Sequence, residues 1–99
     1  MKASTQANKY QLEYHAGKII DEKIKETNKV LEWISNEVYG AGDEDLIPEY
    51  EKLASMVRNN TKTAYELTNK GIKTKIERSL QLMNATHAEV IDFAESIGY

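Results

Sequence analysis

A chain of 99 residues forms one domain with a thin core, because at this size only about 60 to 65 % of the unfolded surface is buried. Forty per cent hydrophobic and 29 % charged residues with a single proline suit a soluble helical protein and not a disordered one. Thirteen basic against sixteen acidic residues give a net charge of −3, which argues against a domain held to nucleic acid by phosphate contacts, and the lack of cysteine excludes disulfides, thiolate nucleophiles and cysteine metal sites.

From the N-terminus, Met1 to Gln6 lack the apolar core of a signal peptide, and nowhere do about 18 uncharged apolar residues run together. The expectation is a cytoplasmic protein, or one exported without a Sec signal peptide. Ser4 and Thr5 are the expected N-caps of a first helix over about residues 6–39, roughly 50 Å long. Its seam is Ile20, Ile24, Thr27, Leu31, Ile34 and Val38, spaced by alternating steps of four and three, with Gly17 as a weak point. Gly40 and Gly42 end it, since glycine enters the left-handed C′ conformation without steric cost.

Asp43, Glu44 and Asp45 then place negative charge at the start of a second helix, about residues 48–69, with Pro48 in its first turn. Leu46, Tyr50, Leu53, Val57, Asn60, Ala64 and Leu67 form its comb. The phase slips by one residue at Asn69-Lys70-Gly71, and Ile72, Ile76, Leu80, Met83, His87, Val90, Ala94 and Ile97 form a third comb over about residues 72–97. Three helices are favoured over two, although a continuous helix with a stutter also explains the slip, and Asn59-Asn60-Thr61 offers another break. The fold class is all-α, either a long antiparallel helical hairpin or a three-helix bundle over residues 1–99. Helices this long cannot bury their stripes in a monomer unless the third segment folds back along the first, so self-association or a helical partner is expected.

The residues offer little for catalysis. His15 and His87 are the two imidazoles, and neither stands in a nucleophile or acid–base motif. His87 reads as a half-buried seam residue at the bundle end, His15 as solvated. The Glu-x-x-His pairs of a di-metal bundle are absent, since Leu12 and Asn84 occupy the positions three before each histidine. Glu22 and Glu26 could share a cation but flank Lys18, Lys25 and Lys29, the pattern of a solvated face. The acidic cluster lacks the alternating ligands and glycine of an EF-hand, and Gly40-Ala41-Gly42 is no phosphate loop. The expectation is therefore a non-enzyme with no cofactor, no metal and no small-molecule substrate. Arg58, Lys62, Lys70, Lys73, Lys75 and Arg78, with Tyr65 among them, form the one basic stretch; a solvated face or a contact for an acidic partner is favoured over nucleic acid. Asn59-Asn60-Thr61 and Asn84-Ala85-Thr86 match the glycosylation sequon and are read as chance.

Trp33 is expected at the edge of the seam. With Tyr39 and Tyr50 it flanks the acidic turn containing Asp43, and these four are the candidate partner-binding residues, since aromatic clusters favour protein recognition. Tyr10, Tyr14, Phe93 and Tyr99 are expected to gather at the opposite end if the first and last helices are neighbours.

Two amphipathic arms about a glycine-containing turn, with no cysteine and no signal peptide, resemble the WXG superfamily of type VII secretion substrates and the small helical partners of LXG toxins. Tyr39 and Asp43 match the Tyr-x-x-x-Asp spacing of that family's export signal, although here it falls in the central turn. The family's Trp-x-Gly turn is replaced by Tyr39-Gly40-Ala41-Gly42-Asp43, with Trp33 inside the first helix. The resemblance implies a non-catalytic interaction module, a secretion partner or chaperone of a type VII secreted toxin that pairs with a helical protein or with itself. The alternative from the residues is a small cytosolic immunity or inhibitor protein, or a phage-encoded helical regulator.

Overall fold

The computed structural model describes the backbone of residues 2–42 and 44–99 and the side chains of residues 16–42 and 44–99. The chain forms three helices, α1 (Lys2–Ala41), α2 (Leu46–Asn69) and α3 (Lys73–Ser96), with no strand among the described residues. Forty residues at about 1.5 Å each give α1 a length of roughly 60 Å, which matches the 60 Å long axis of the molecule. By the same rise α2 and α3 are about 36 Å, so α1 outruns both. Ser4 and Thr5 fall inside α1, which begins before them, and so do not cap it.

Two glycines make the turns. Gly42 (φ +66°) follows α1 and donates to the Tyr39 carbonyl at 3.3 Å, so α1 passes through Gly40 and stops one residue beyond it. Gly71 (φ +67°) donates to the Thr68 carbonyl at 3.1 Å, and Ile72 behind it is extended (φ −100°, ψ 124°). A stutter within one continuous helix is thereby ruled out, since both conformations interrupt the α ladder. Asn59-Asn60-Thr61 does not interrupt α2.

Cross-helix contacts define an up-down-up bundle. Tyr39 meets Glu51 and Asp21 meets Tyr65, which sets α1 and α2 antiparallel; Asn60 meets Thr86 and Thr68 meets Ser79, which does the same for α2 and α3. The chain α3 therefore runs parallel to α1 and folds back along it, with Thr27 beside His87. All six residues of the first seam are buried. The stripe on α1 that called for a partner is thus covered within one chain over residues 16–41, and no second copy is needed to close it.

The third comb needs correction. The face of α3 that enters the core is Ile76, Ser79, Met83, Thr86, Val90 and Ala94, all buried, whereas Ile72 is 48 % exposed and Leu80 and His87 flank the seam. The two small hydroxyl residues, Ser79 and Thr86, hold the true three-four rhythm.

These hydroxyls divide the core. Near the first turn, Val30, Leu31, Ile34, Val38, Val57, Val90 and Ala94 form one apolar cluster; toward Gly71, Ile20, Ile24, Ala64 and Met83 form another. Between them lies a polar layer. Thr27 donates to its own Lys23 carbonyl at 2.7 Å and so can only accept from His87 Nδ1 at 2.9 Å. Thr86 likewise donates to the Leu82 carbonyl at 2.7 Å and accepts from the Asn60 amide at 3.0 Å. Each threonine satisfies its proton locally and offers only a lone pair to the next helix, so the facing residue must be a donor. Further along, Ser79 donates to the Ala64 carbonyl at 2.8 Å and accepts from Thr68. Among the described residues no buried side-chain polar atom lacks a partner.

Candidate functional site

Of the four sequence candidates, Trp33, Tyr39 and Tyr50 lie among the described residues, and these three do not form one patch. Trp33 and Tyr39 are six residues apart, about 240° around the helix, and so face different neighbours. Trp33 is partly buried and packs edge-on against Tyr99, with centroids 4.8 Å apart at 71°. Tyr39 is 50 % exposed and meets Tyr50 edge-on at 5.8 Å and 84°, while its hydroxyl reaches Glu51 Oε1 at 3.5 Å. The Tyr39 phenol is raised from its ordinary pKa, first by shielding from water and then by the negative charge of Glu51. Asp43 lies outside the described residues. Tyr39 and Tyr50 therefore mark the α1–α2 side of the turn end, and Trp33 the α1–α3 side.

The expected aromatic group at the far end is also redistributed. Because α3 runs parallel to α1, its end returns to the turn, where the Tyr99 amide donates to the Ala94 carbonyl at 2.9 Å and its ring reaches Trp33. Phe93 packs against the turn-side apolar cluster. The side chains of Tyr10 and Tyr14 lie outside the described residues.

The same end carries a feature that the combs did not single out. Leu53 and Met56 of α2 and Phe93 of α3, each partly buried, floor an open groove of about 340 Å³ whose edges are Glu49, Lys52 and Glu89. No described residue of α1 lines it. Leu53 stood in the second comb, but Met56, three residues on and off that comb, points to a second apolar edge of α2; this spacing is the signal that would have found the groove. A smaller depression of about 280 Å³ at the turn is lined by Glu37, Val38, Ala41, Leu46 and Ile97.

His87 sits in the middle of the bundle, in the polar layer, and not at its end. Its pKa is lowered, first by desolvation and next by the charge of Lys23, against which Glu26 pulls the other way. A neutral imidazole with its proton on Nδ1 suits the bond to Thr27, whose own hydroxyl proton is given to the Lys23 carbonyl. Glu22 and Glu26 are exposed, Glu26 with Lys23 at 3.6 Å, and no group of three or more potential metal ligands occurs among the described residues.

Apart from Arg58, which lies on the turn side of the polar layer, the basic stretch gathers at the Gly71 half of the bundle, exposed except for the partly buried Lys75. Its aromatic is otherwise engaged. Tyr65 donates to Asp21 Oδ1 at 2.7 Å, a bond that raises its pKa ahead of desolvation and the Asp21 charge. No described helix is long and apolar enough to cross a membrane.

Comparison with protein families, with curated proteins and with solved structures returns no match at any of the three levels.

Proposed function

We propose that this chain is a non-catalytic helical interaction module that docks a helical protein partner at its turn end. The observation that carries the reading is the α2–α3 groove, whose apolar floor stays open although all three helices have closed their shared core. A pair of packed helices has two grooves, and α1 fills only one of them. Trp33–Tyr99 and Tyr39–Tyr50 add aromatic surface at the same end, on the α1–α3 and α1–α2 sides. The specific role we assign is that of a secretion partner or chaperone of a type VII secreted toxin, supported by the Tyr39–Asp43 spacing and by the exposure of Tyr39.

A second reading, a small immunity or inhibitor protein or a phage-encoded regulator, is favoured by one observation: the bundle covers its own seams and can act as a folded monomer.

Co-expression with the helical N-terminal segment of a toxin encoded beside this chain tests the first reading. The expected result is a complex that survives gel filtration and melts later than the free chain, since a ligand that binds only the native state raises its apparent stability. No complex with such a segment, together with binding to a folded enzyme that it inhibits, would transfer the assignment to the second.

A further inference from the structure

Charge is distributed unevenly along the molecule. Taking the polar layer as the divide, residues 28–42, 44–59 and 88–99 carry nine carboxylates against three basic side chains, Lys29, Lys52 and Arg58. Residues 16–26 and 61–85, on the other side, carry eight basic side chains against five carboxylates. The open groove lies wholly within the acidic half, with Glu49 and Glu89 exposed on opposite edges and Lys52 as its one cation. Its floor includes Met56, whose flexible thioether adapts to differently shaped apolar side chains.

We infer that the groove binds an amphipathic helix with an apolar stripe bordered by lysine or arginine, laid over Leu53, Met56 and Phe93 to complete a four-helix bundle. This rests on the interaction-module reading and names the chemistry of the partner. The geometry follows from the α2–α3 pair, since α1 occupies the equivalent groove on the other side with leucine, isoleucine and valine at three-four spacing. Charge selects among the helices that could follow this geometry. A basic border meets Glu49 and Glu89, whereas an acidic border, or the acidic half of a second copy in parallel, would meet like charge.

The probe is a synthetic 18-residue peptide with leucine at i, i+3, i+4 and i+7 spacing and lysine elsewhere; its counterpart carries glutamate for lysine. Binding to the full chain is read by fluorescence anisotropy. The lysine peptide is expected to bind, and Glu49→Lys with Glu89→Lys should weaken it by about tenfold or more, as expected for reversing charges at a recognition edge. Glu32→Lys with Glu37→Lys, the same charge change in the same half but on α1, should cost less than about threefold. All four positions are exposed, so the variants fold.

Equal losses from the two double variants would overturn the proposal, because net charge and not the groove would then govern binding. A groove that takes the glutamate peptide instead overturns the partner's charge and leaves the module reading standing. If neither peptide binds while the toxin segment does, the module reading holds and the groove assignment falls. A dimer in light scattering that Glu49→Lys with Glu89→Lys abolishes makes a second copy the occupant and overturns it as well.

Discussion

Ile34 and Ile72 share a residue type and a place on the seams read from sequence, but the bundle treats them oppositely. Ile34 is 0 % exposed among Val30, Leu31, Val38, Val57 and Val90, whereas Ile72 is 48 % exposed at the extended residue before α3. Truncating isoleucine to alanine removes three carbons, worth about 2.4 kcal/mol at roughly 0.8 kcal/mol each. At position 34 three helices enclose the site and cannot collapse fully, so a cavity cost raises the expected loss for Ile34→Ala to about 3–4 kcal/mol. Ile72→Ala should cost no more than about 0.5 kcal/mol, and Lys25→Ala about as little. Urea unfolding followed by helical circular dichroism separates these outcomes. With a slope of about 1.5 kcal/mol/M, Ile34→Ala lowers the midpoint by roughly 2 M and the others by a few tenths. Losses at 34 and 72 within about 0.5 kcal/mol of each other would mean that α3 does not begin where Gly71 turns the chain.

Glycine gives a second contrast. Gly17→Ala, in the helix with nothing within 4 Å of an added Cβ, should stabilise by about 0.5–1 kcal/mol, while Gly71→Ala, at φ +67°, should destabilise by about 1–2 kcal/mol; thermal melts of the two must move in opposite directions. His87 has its pKa lowered by burial, so the unfolded chain binds its proton more readily; that stability is present above about pH 6.5 and lost as the pH falls below it. His87→Gln should therefore flatten the change in urea midpoint between pH 7.5 and 5.5, and an unchanged slope would remove His87 from the polar layer. Substituting Tyr39 and Asp43 together should leave helicity and melting nearly unchanged while weakening partner binding or export, since the Tyr39 bond to Glu51 is long and exposed. A melt lower by more than about 8 °C, over 1 kcal/mol in a chain of this size, would make the pair structural.

The aliphatic periodicity of the first helix was read correctly residue by residue, because each of Ile20, Ile24, Leu31, Ile34 and Val38 is buried for the reason it was noticed. The third comb went astray where hydropathy and position disagree. Ser79 and Thr86 occupy core positions as hydrogen-bonding residues, and because four-three and three-four steps join the same anchors Ile76, Met83 and Val90, spacing alone does not separate them from Leu80 and His87. The break at Gly71 was legible, since glycine beside a phase change has a backbone cause. The direction of α3 was not, and with it went the placement of Phe93 and Tyr99, because periodicity fixes a face and says nothing about which end meets which. Of the candidate site, Tyr39 and Tyr50 meet as neighbours of one turn, but the groove needs two helices assembled before Met56 and Phe93 share a wall.

The polar layer also decides which of several sliding alignments the bundle adopts. Heptad-like seams tolerate a two-turn slip, since aliphatic residues would again face aliphatic ones. If α3 slid so that Thr86 came level with Ile34 and Leu53, its hydroxyl and the His87 ring would enter the larger apolar cluster, and Leu80 would stand where His87 now donates to Thr27. Each buried polar group left without its partner costs about 1–3 kcal/mol, enough to empty the slipped state in a protein whose whole stability is on the order of 10 kcal/mol. A value for His87 measured by nuclear magnetic resonance titration would thus serve as a gauge of helix alignment: the ring reports, through one proton on one nitrogen, whether a residue 60 positions along the chain from Thr27 has returned to the right place.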